Sequence, residues 1–445
     1  MQLSKCKWRA CATMSAVLMF ASCSKAPGDG AQGGQGASGA ASEVLQEPGE
    51  APAARLLVVP DPGPSNGSQE QIGQSIKRGP LKIIDEDGKT FADFTRESFM
   101  TTVGPGSFPG NLTSDNLTLD VTSTSGERLF IDMVNKKKIV NPKINYLSYF
   151  SDGLATARAD NNAPCGWADE LGNMRMAGRF TGCGPFKDGV AIVQETKGIS
   201  FWAKTKVGLV DTNGVELVPL AEGSIKFIGN GRYAITGGSG MTPRTDLGIY
   251  DLAQKRLIPL PGLKEVMWFN SSAALLTVEG GRNSPTYYLA PSKDPVVLKV
   301  PGGLIGKNLT TYKDDKLTVT SPDGTPLGSE TILFRASQGA YRNTLTGEIG
   351  HGQVGIIGEG GKWIVAPEQS SISHFTHGWA SVLKGGRWRI VDIAGRTLFE
   401  LKGEPDVLTG RFIETIAPGS APGTTNHEIL NRAGKCIYRY TEPPL

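Results

Sequence analysis

The feature that most constrains this chain is an internal repeat. An apolar triplet running into a polar turn recurs from residue 82 onward. It reads Lys82-Ile83-Ile84-Asp85-Glu86-Asp87-Gly88, Gly166-Trp167-Ala168-Asp169-Glu170-Leu171-Gly172, Gly208-Leu209-Val210-Asp211-Thr212-Asn213-Gly214 and Arg389-Ile390-Val391-Asp392-Ile393-Ala394-Gly395. Weaker copies lie at Leu129 to Asp132, Gly248 to Asp251, Val319 to Gly324, Gly355 to Gly361 and Glu428 to Gly434. The period is about 40 residues. The chemistry is that of a hairpin. A β-rich strand enters, Asp or Asn bonds back to its own backbone, and Gly supplies positive φ. A second unit follows each turn: Phe150-Ser151-Asp152-Gly153-Leu154-Ala155, Phe186-Lys187-Asp188-Gly189-Val190-Ala191 and Phe375-Thr376-His377-Gly378-Trp379-Ala380, with a looser copy at Ile228 to Ala234. Each period thus holds two hairpins or a four-strand meander.

These residues resemble the WG-repeat family. Its units join a Phe-x-x-Gly-x-Ala strand to a Trp-Gly or Gly-aromatic strand that ends in Asp-x-x-Gly with a trailing Pro. The match is good over residues 130–220 and 354–400, and reduces to period and pattern over 240–350. The resemblance implies an architecture and is nearly silent on activity. Four short strands per period predict an all-β protein, a β-propeller of eight or nine blades, with an open β-solenoid as the alternative. The last hairpin, Glu428 to Tyr440, lacks a second half, and pairing it with N-terminal strands would close a ring. Few segments sustain a helical period.

The N-terminus carries a different signal. Lys5, Lys7 and Arg9 precede a short apolar stretch, Ala16 to Phe20, and then Ala21-Ser22-Cys23. This order reads as a secretory signal ending in small residues. The cysteine after them resembles the lipobox of bacterial lipoproteins, with Phe20 where leucine is usual. The resemblance implies removal of residues 1–22, acylation of Cys23 and attachment to a membrane. Ser24 in place of Asp implies the outer membrane in a host that has two. The apolar stretch is shorter than the roughly 20 residues a spanning helix needs. Residues 23–80 are rich in Gly, Ala, Ser, Gln and Pro and read as a tether that cannot offset its ordering entropy. Leu56-Leu57-Val58-Val59 is its one apolar island, a candidate edge strand. Residues 81–445 form the repeat domain.

Charge excludes one class of partner. The chain has 46 basic and 43 acidic side chains, and residues 1–22 hold three of the basic ones and no acid. The remainder is balanced, which argues against nucleic acid. Lys136-Lys137-Lys138 reads as a solvated hairpin tip. Export permits disulfides. Cys165 and Cys183 lie within one repeat and could pair across a hairpin; the alternative is two separate buried thiols. Cys436 is left over and reads as a thiol buried in a strand. No cysteine spacing fits zinc.

No segment reads convincingly as an active site. Asp85-Glu86-Asp87-Gly88 begins like a calcium loop, but its twelfth position is Arg96. His374 and His377 are three apart, so in a strand they point to opposite faces. Gly237-Gly238-Ser239-Gly240-Met241 lacks the frame of a nucleophile elbow. Gly358-Glu359-Gly360-Gly361 precedes no helix. Trp167, Trp268, Trp363, Trp379 and Trp388 read as core between repeats, whereas Trp202 sits in a stretch that breaks the pattern and is the candidate for an exposed, ligand-facing aromatic. The expectation is an exported, lipid-anchored binding or scaffold module without cofactor, catalytic residues or metal. Its partner is expected to be another envelope protein or a glycan. The competing readings are a glycan hydrolase or lyase built on a propeller, and a structural spacer.

Overall fold

A computed structural model describes the chain between residues 52 and 442, apart from 61–70, 73–74, 77–80, 95–98, 102–116, 124–126, 141–142, 161–162, 199–203, 238–244, 279–284, 299–301, 333–343, 349–352, 271, 292 and 374. The described residues are β-strands, turns and connecting loops. Ten antiparallel sheets follow one another, each a meander of three or four strands. The first contains Leu56–Pro60, Leu81–Asp85 and Thr90–Phe94, and the second Phe99–Thr101, Thr118–Ser123, Arg128–Asp132 and Lys137–Val140. The third holds Tyr146–Ser151, Leu154–Arg158, Cys165–Ala168 and Met174–Phe180. The fourth and fifth share the long strand Glu216–Gly229. Its first part pairs with Lys204–Asp211 and its second with Arg232–Gly237. Gly182–Cys183 and Val190–Lys197 complete the fourth, and Gly248–Asp251 and Arg256–Pro259 the fifth.

The sixth to eighth sheets start at Leu263, Gly303 and Thr344. The ninth contains Ser371–Ile372, Trp379–Lys384, Arg387–Asp392 and Thr397–Glu400. The tenth contains Glu404–Leu408, Phe412–Pro418, Thr425–Asn431 and Cys436–Glu442. A separate two-stranded pair joins Gln71–Ile72 to Ser75–Ile76.

The recurring turn forms as its composition dictates. Asp85 Oδ1 accepts the N–H groups of Asp87 at 3.0 Å and Lys89 at 2.9 Å, and Gly88 takes a φ of +79° that a side chain would resist. The same pair of bonds recurs at Asp169, Asp211 and Asp392, and Asn431 makes it with Ala433 and Lys435. Each sheet exposes an apolar face on both sides, and neighbouring sheets bury these against each other. Phe130 and Ile139 of the second sheet meet Leu147 and Phe150 of the third. Trp379 and Ile390 of the ninth meet Ile413 and Leu430 of the tenth.

The series closes. Phe412 and Ile429 of the tenth sheet pack against Leu57, Val59 and Ile84 of the first. Asn431 Nδ2 also donates to Glu86 O at 3.1 Å. An open solenoid leaves its terminal repeats apart, so the contact identifies a cyclic, propeller-type array. Two expectations change. The sheets number ten among the described residues, not eight or nine: the last hairpin, expected to lack a second half, forms a full sheet with Glu404–Leu408 and Phe412–Pro418, and it packs against the first sheet instead of pairing with it. The fold also includes the apolar island before residue 81. Leu57 and Val59 face the tenth sheet while Leu56 and Val58 face the second. An alternating strand with both faces covered reads as a continuous apolar run.

Candidate functional site

An antiparallel meander puts the turns after its first and third strands at one end and the other connections at the opposite end. Contacts between consecutive sheets show that the repeat turns share one end. Lys136 Nζ lies 2.9 Å from Asp85 Oδ2. Phe150 N donates to Asp132 Oδ2 at 2.8 Å, and Gly189 N to Asp152 Oδ2 at 2.7 Å. Asn270 Nδ2 donates to Gly306 O at 3.0 Å, and Lys307 N to Glu359 Oε1 at 3.2 Å. The chain enters the first sheet at this end. The N–H groups of Arg55 and Leu56 donate to Met133 O, and the Arg55 guanidinium binds Glu86 Oε1 through Nε at 3.0 Å and Nη2 at 2.8 Å. Burial pushes the Asp85 carboxyl up, but donation from Lys136 Nζ and from the N–H groups of Lys89 and Asp87 outweighs it and holds the group below its ordinary value. Burial likewise raises Glu86, and its backbone bond together with Arg55 and Lys136 brings it below the usual range.

The closing contact carries a cluster that sequence reading missed. Alternation along Phe412–Pro418 turns Phe412 and Glu414 toward the first sheet and Ile413 toward the ninth. On the neighbouring strands, Ile429 lies opposite Glu414 and also opposite Tyr438, while His427 lies opposite Tyr440. His427 Nδ1 lies 2.8 Å from Glu414 Oε1, and the Tyr440 hydroxyl donates to the same oxygen. The rings of His427 and Tyr440 stack with centroids 4.3 Å apart and planes 10° from parallel. Glu414 is 1% exposed and His427 6%. An imidazole held on a carboxylate can accept or release a proton. Glu414 Oε2 and His427 Nε2 are both shut off from solvent. The cluster is therefore an internal element of the seam, with no side open to a substrate. Its members come from three strands, and no local motif marks them.

The residues singled out by sequence fall as follows. Cys23 and Trp202 lie outside the described residues, as does His374. Cys165 and Cys183 form a disulfide. It does not stay within one repeat: Cys165 belongs to the third sheet and Cys183 to the fourth, so the bond crosses a seam. Around it pack Trp167, Phe180 and Phe186, and Trp167 Nε1 donates to Gly184 O at 3.1 Å. Cys436 carries a half-buried thiol and packs at the seam of the ninth and tenth sheets. Trp167 and Trp379 are fully buried, and Trp363 and Trp388 partly so. His377 is buried in a turn with a φ of +49°. Asp85 to Gly88 and Gly358 to Gly361 are hairpin turns.

Two segments, residues 166–197 and 355–388, match the family model described as WG containing repeat. No curated protein matches the chain. Among solved structures, a eukaryotic initiation factor aligns over 81% of this chain and 93% of its own, at 10% identity and a TM-score of 0.35. Sqt1 of Chaetomium thermophilum, bound to the N-terminus of the ribosomal protein L10, aligns over 57% of this chain and 84% of its own, at 12% identity and a TM-score of 0.26. At such scores neither likeness bears on what this protein does.

Proposed function

We propose that this chain is a lipid-anchored binding or scaffold module of a bacterial envelope, tethered through Cys23 and recognising a protein or glycan through loops on one end of the array. The observation that carries the reading is the closed series of sheets. A ring whose ends are packed together is a stiff platform, and loops held on a stiff platform are where recognition concentrates. The repeat turns hold one another at one end, and the reading assigns the partner to the connections at the other. The disulfide supports an oxidising compartment, in keeping with export. The two segments matched to a repeat family support a role resting on architecture.

The test is cross-linking of the native protein in its own membrane, followed by mass spectrometry of what co-purifies. One recurrent partner, linked through lysines of the loop end, is the expected result. Links confined to the turn end would overturn the choice of face. No partner above background would direct attention to glycan binding, beginning with Trp202→Ala. Anchoring is tested separately: incorporation of a labelled fatty acid that survives in Cys23→Ser removes the lipid anchor from the proposal.

A further inference from the structure

Where the ring closes, the entry to the first sheet meets the first turn of the tenth. We infer that Arg411 of the tenth sheet and Arg55 at the entry to the first form a binding site for a carboxylate at the turn end of this seam. The site lies apart from the connections to which the partner is assigned, so it stands or falls independently of that reading.

Arg411 sits in the turn between Glu404–Leu408 and Phe412–Pro418. The backbone of this turn is pinned. Thr409 Oγ1 accepts the N–H groups of Arg411 at 3.2 Å and Phe412 at 2.9 Å, and Thr409 O accepts Trp379 Nε1 at 2.7 Å. Gly410 O accepts Arg432 Nη1 at 2.7 Å, and Arg432 itself lies over the Trp379 ring, toward the ninth sheet. Gly410 is also closely approached by the chain entering the first sheet: a Cβ there would lie 2.3 Å from Ala53 Cβ and 2.7 Å from the His377 ring. A donor carried on so fixed a turn loses little freedom on binding.

The Arg411 side chain is less well provided. It is half-buried, and its Nε is shut off from solvent with no acceptor among the described residues. Glu86 of the first sheet is the carboxylate within electrostatic reach, and Arg55 is the like charge. Glu86 is already engaged. Its Oε1 accepts Nε and Nη2 of Arg55, and its Oε2 lies 3.7 Å from Lys136 Nζ. Lys136 in turn binds Asp85. In this network Arg55, Lys136 and Arg411 set three positive charges against the two negative ones of Asp85 and Glu86. Burial pushes the Arg411 guanidinium below its ordinary value, Glu86 opposes the shift and Arg55 adds to it. The group keeps its proton, so its charge is under-compensated where it sits.

What the network lacks is one negative charge carried on oxygens that suit a guanidinium. A carboxylate meets both needs. A phosphate dianion would bring a charge too many. The donors left for the ligand are Nη1 and Nη2 of Arg411 and Nη1 of Arg55, which the bonds to Glu86 do not use. A carboxylate held by both arginines would span the tenth and first sheets and tie the ring where it closes.

The test is a thermal-unfolding titration of the full chain with sodium acetate near neutral pH, with ionic strength held constant by sodium chloride. The expected result is a saturable rise in melting temperature. Inorganic phosphate saturating at a lower concentration than acetate would overturn the assignment to a carboxylate. Arg411→Gln should weaken the apparent affinity by about tenfold or more, the loss of a charge-assisted contact, and Arg411→Lys should retain part of it. A response that does not saturate, or one unchanged in Arg411→Gln, would remove the site. Should the glutamine variant fold poorly, the Arg411 Nε–H resonance of the wild type decides: it should shift saturably with acetate, and a resonance that stays fixed removes the site. A capped tetraglutamate peptide then identifies the source. Binding tighter than acetate per carboxylate assigns the site to acidic side chains of a protein, and binding no tighter assigns it to free small carboxylates.

Discussion

Two seams of the same ring are held together by different means. Between the third and fourth sheets, consecutive in the chain, Trp167 lies with its ring centroid 4.9 Å from that of Phe186, and the Cys165–Cys183 bond joins the sheets covalently. Between the tenth and first sheets, at opposite ends of the chain, there is no covalent link. Phe412 and Ile429 supply apolar area, and the Asn431 amide, donating to Glu86 O, supplies a directional contact. The difference teaches where specificity is needed. Chain connectivity already brings the third and fourth sheets together. Nothing but side chains selects the first sheet as the partner of the tenth, and polar groups that are satisfied in one pairing only are a means of making that choice.

The largest effect that would break the comparison comes from the two buried aromatics. Phe412→Ala and Trp167→Ala should each cost about 3–5 kcal/mol, measured by denaturant unfolding. They should fail differently. Limited proteolysis of Phe412→Ala should cut first around Leu56–Pro60, whereas Trp167→Ala, still held by the disulfide, should resist local cleavage. Identical cleavage patterns would mean that closure and neighbour packing are one cooperative unit. Next in size is the disulfide. Cys165→Ala with Cys183→Ala should cost about 3 kcal/mol, the loop-closure value for a bridge of this span. Reductant should lower the wild-type melting temperature toward that of the double variant and leave the variant unmoved.

A smaller effect is expected from the turn at the closing end. The Asp85 carboxyl is held below its ordinary value in the fold, so it stabilises the protein above the unfolded value of about 3.9 and ceases to as pH falls through the folded one. Asp85→Asn should therefore lose stability at neutral pH, by about 1 kcal/mol, since asparagine keeps an oxygen for the turn N–H groups but not the charge opposite Lys136, and the gap should close in acid unfolding below about pH 4. Of similar size is Tyr440→Phe, which removes the hydroxyl that donates to Glu414 and should cost about 1 kcal/mol. Equal pH dependence for Asp85→Asn and wild type would show that Lys136 and the turn N–H groups do not act on the carboxylate.

Much of the fold could be read from local order. The Asp-x-x-Gly hairpins form from contacts within five residues, so Asp85, Asp169, Asp211 and Asp392 announced themselves by spacing alone. The repeat of these turns gave the succession of sheets. The sheet count was harder, because the last hairpin forms a full sheet with Glu404–Leu408 and Phe412–Pro418 and packs against the first sheet instead of pairing with it. Glu414, His427 and Tyr440 were illegible for a related reason. Each reads as an ordinary member of an alternating strand, and only the pairing register brings them together.

By itself the sequence determined the all-β class, the meander, the turn chemistry and the balanced charge. These depend on neighbours along the chain, where periodicity and turn residues act at short range. Only the tertiary structure decided which sheets touch. It put the disulfide across a seam, enlisted an apolar island of the tether as the strand that completes the first sheet, and closed the tenth sheet on the first. Those outcomes rest on contacts between residues as far apart as Leu57 and Phe412, whose partnership is set by the geometry of stacked sheets and leaves no mark in local order.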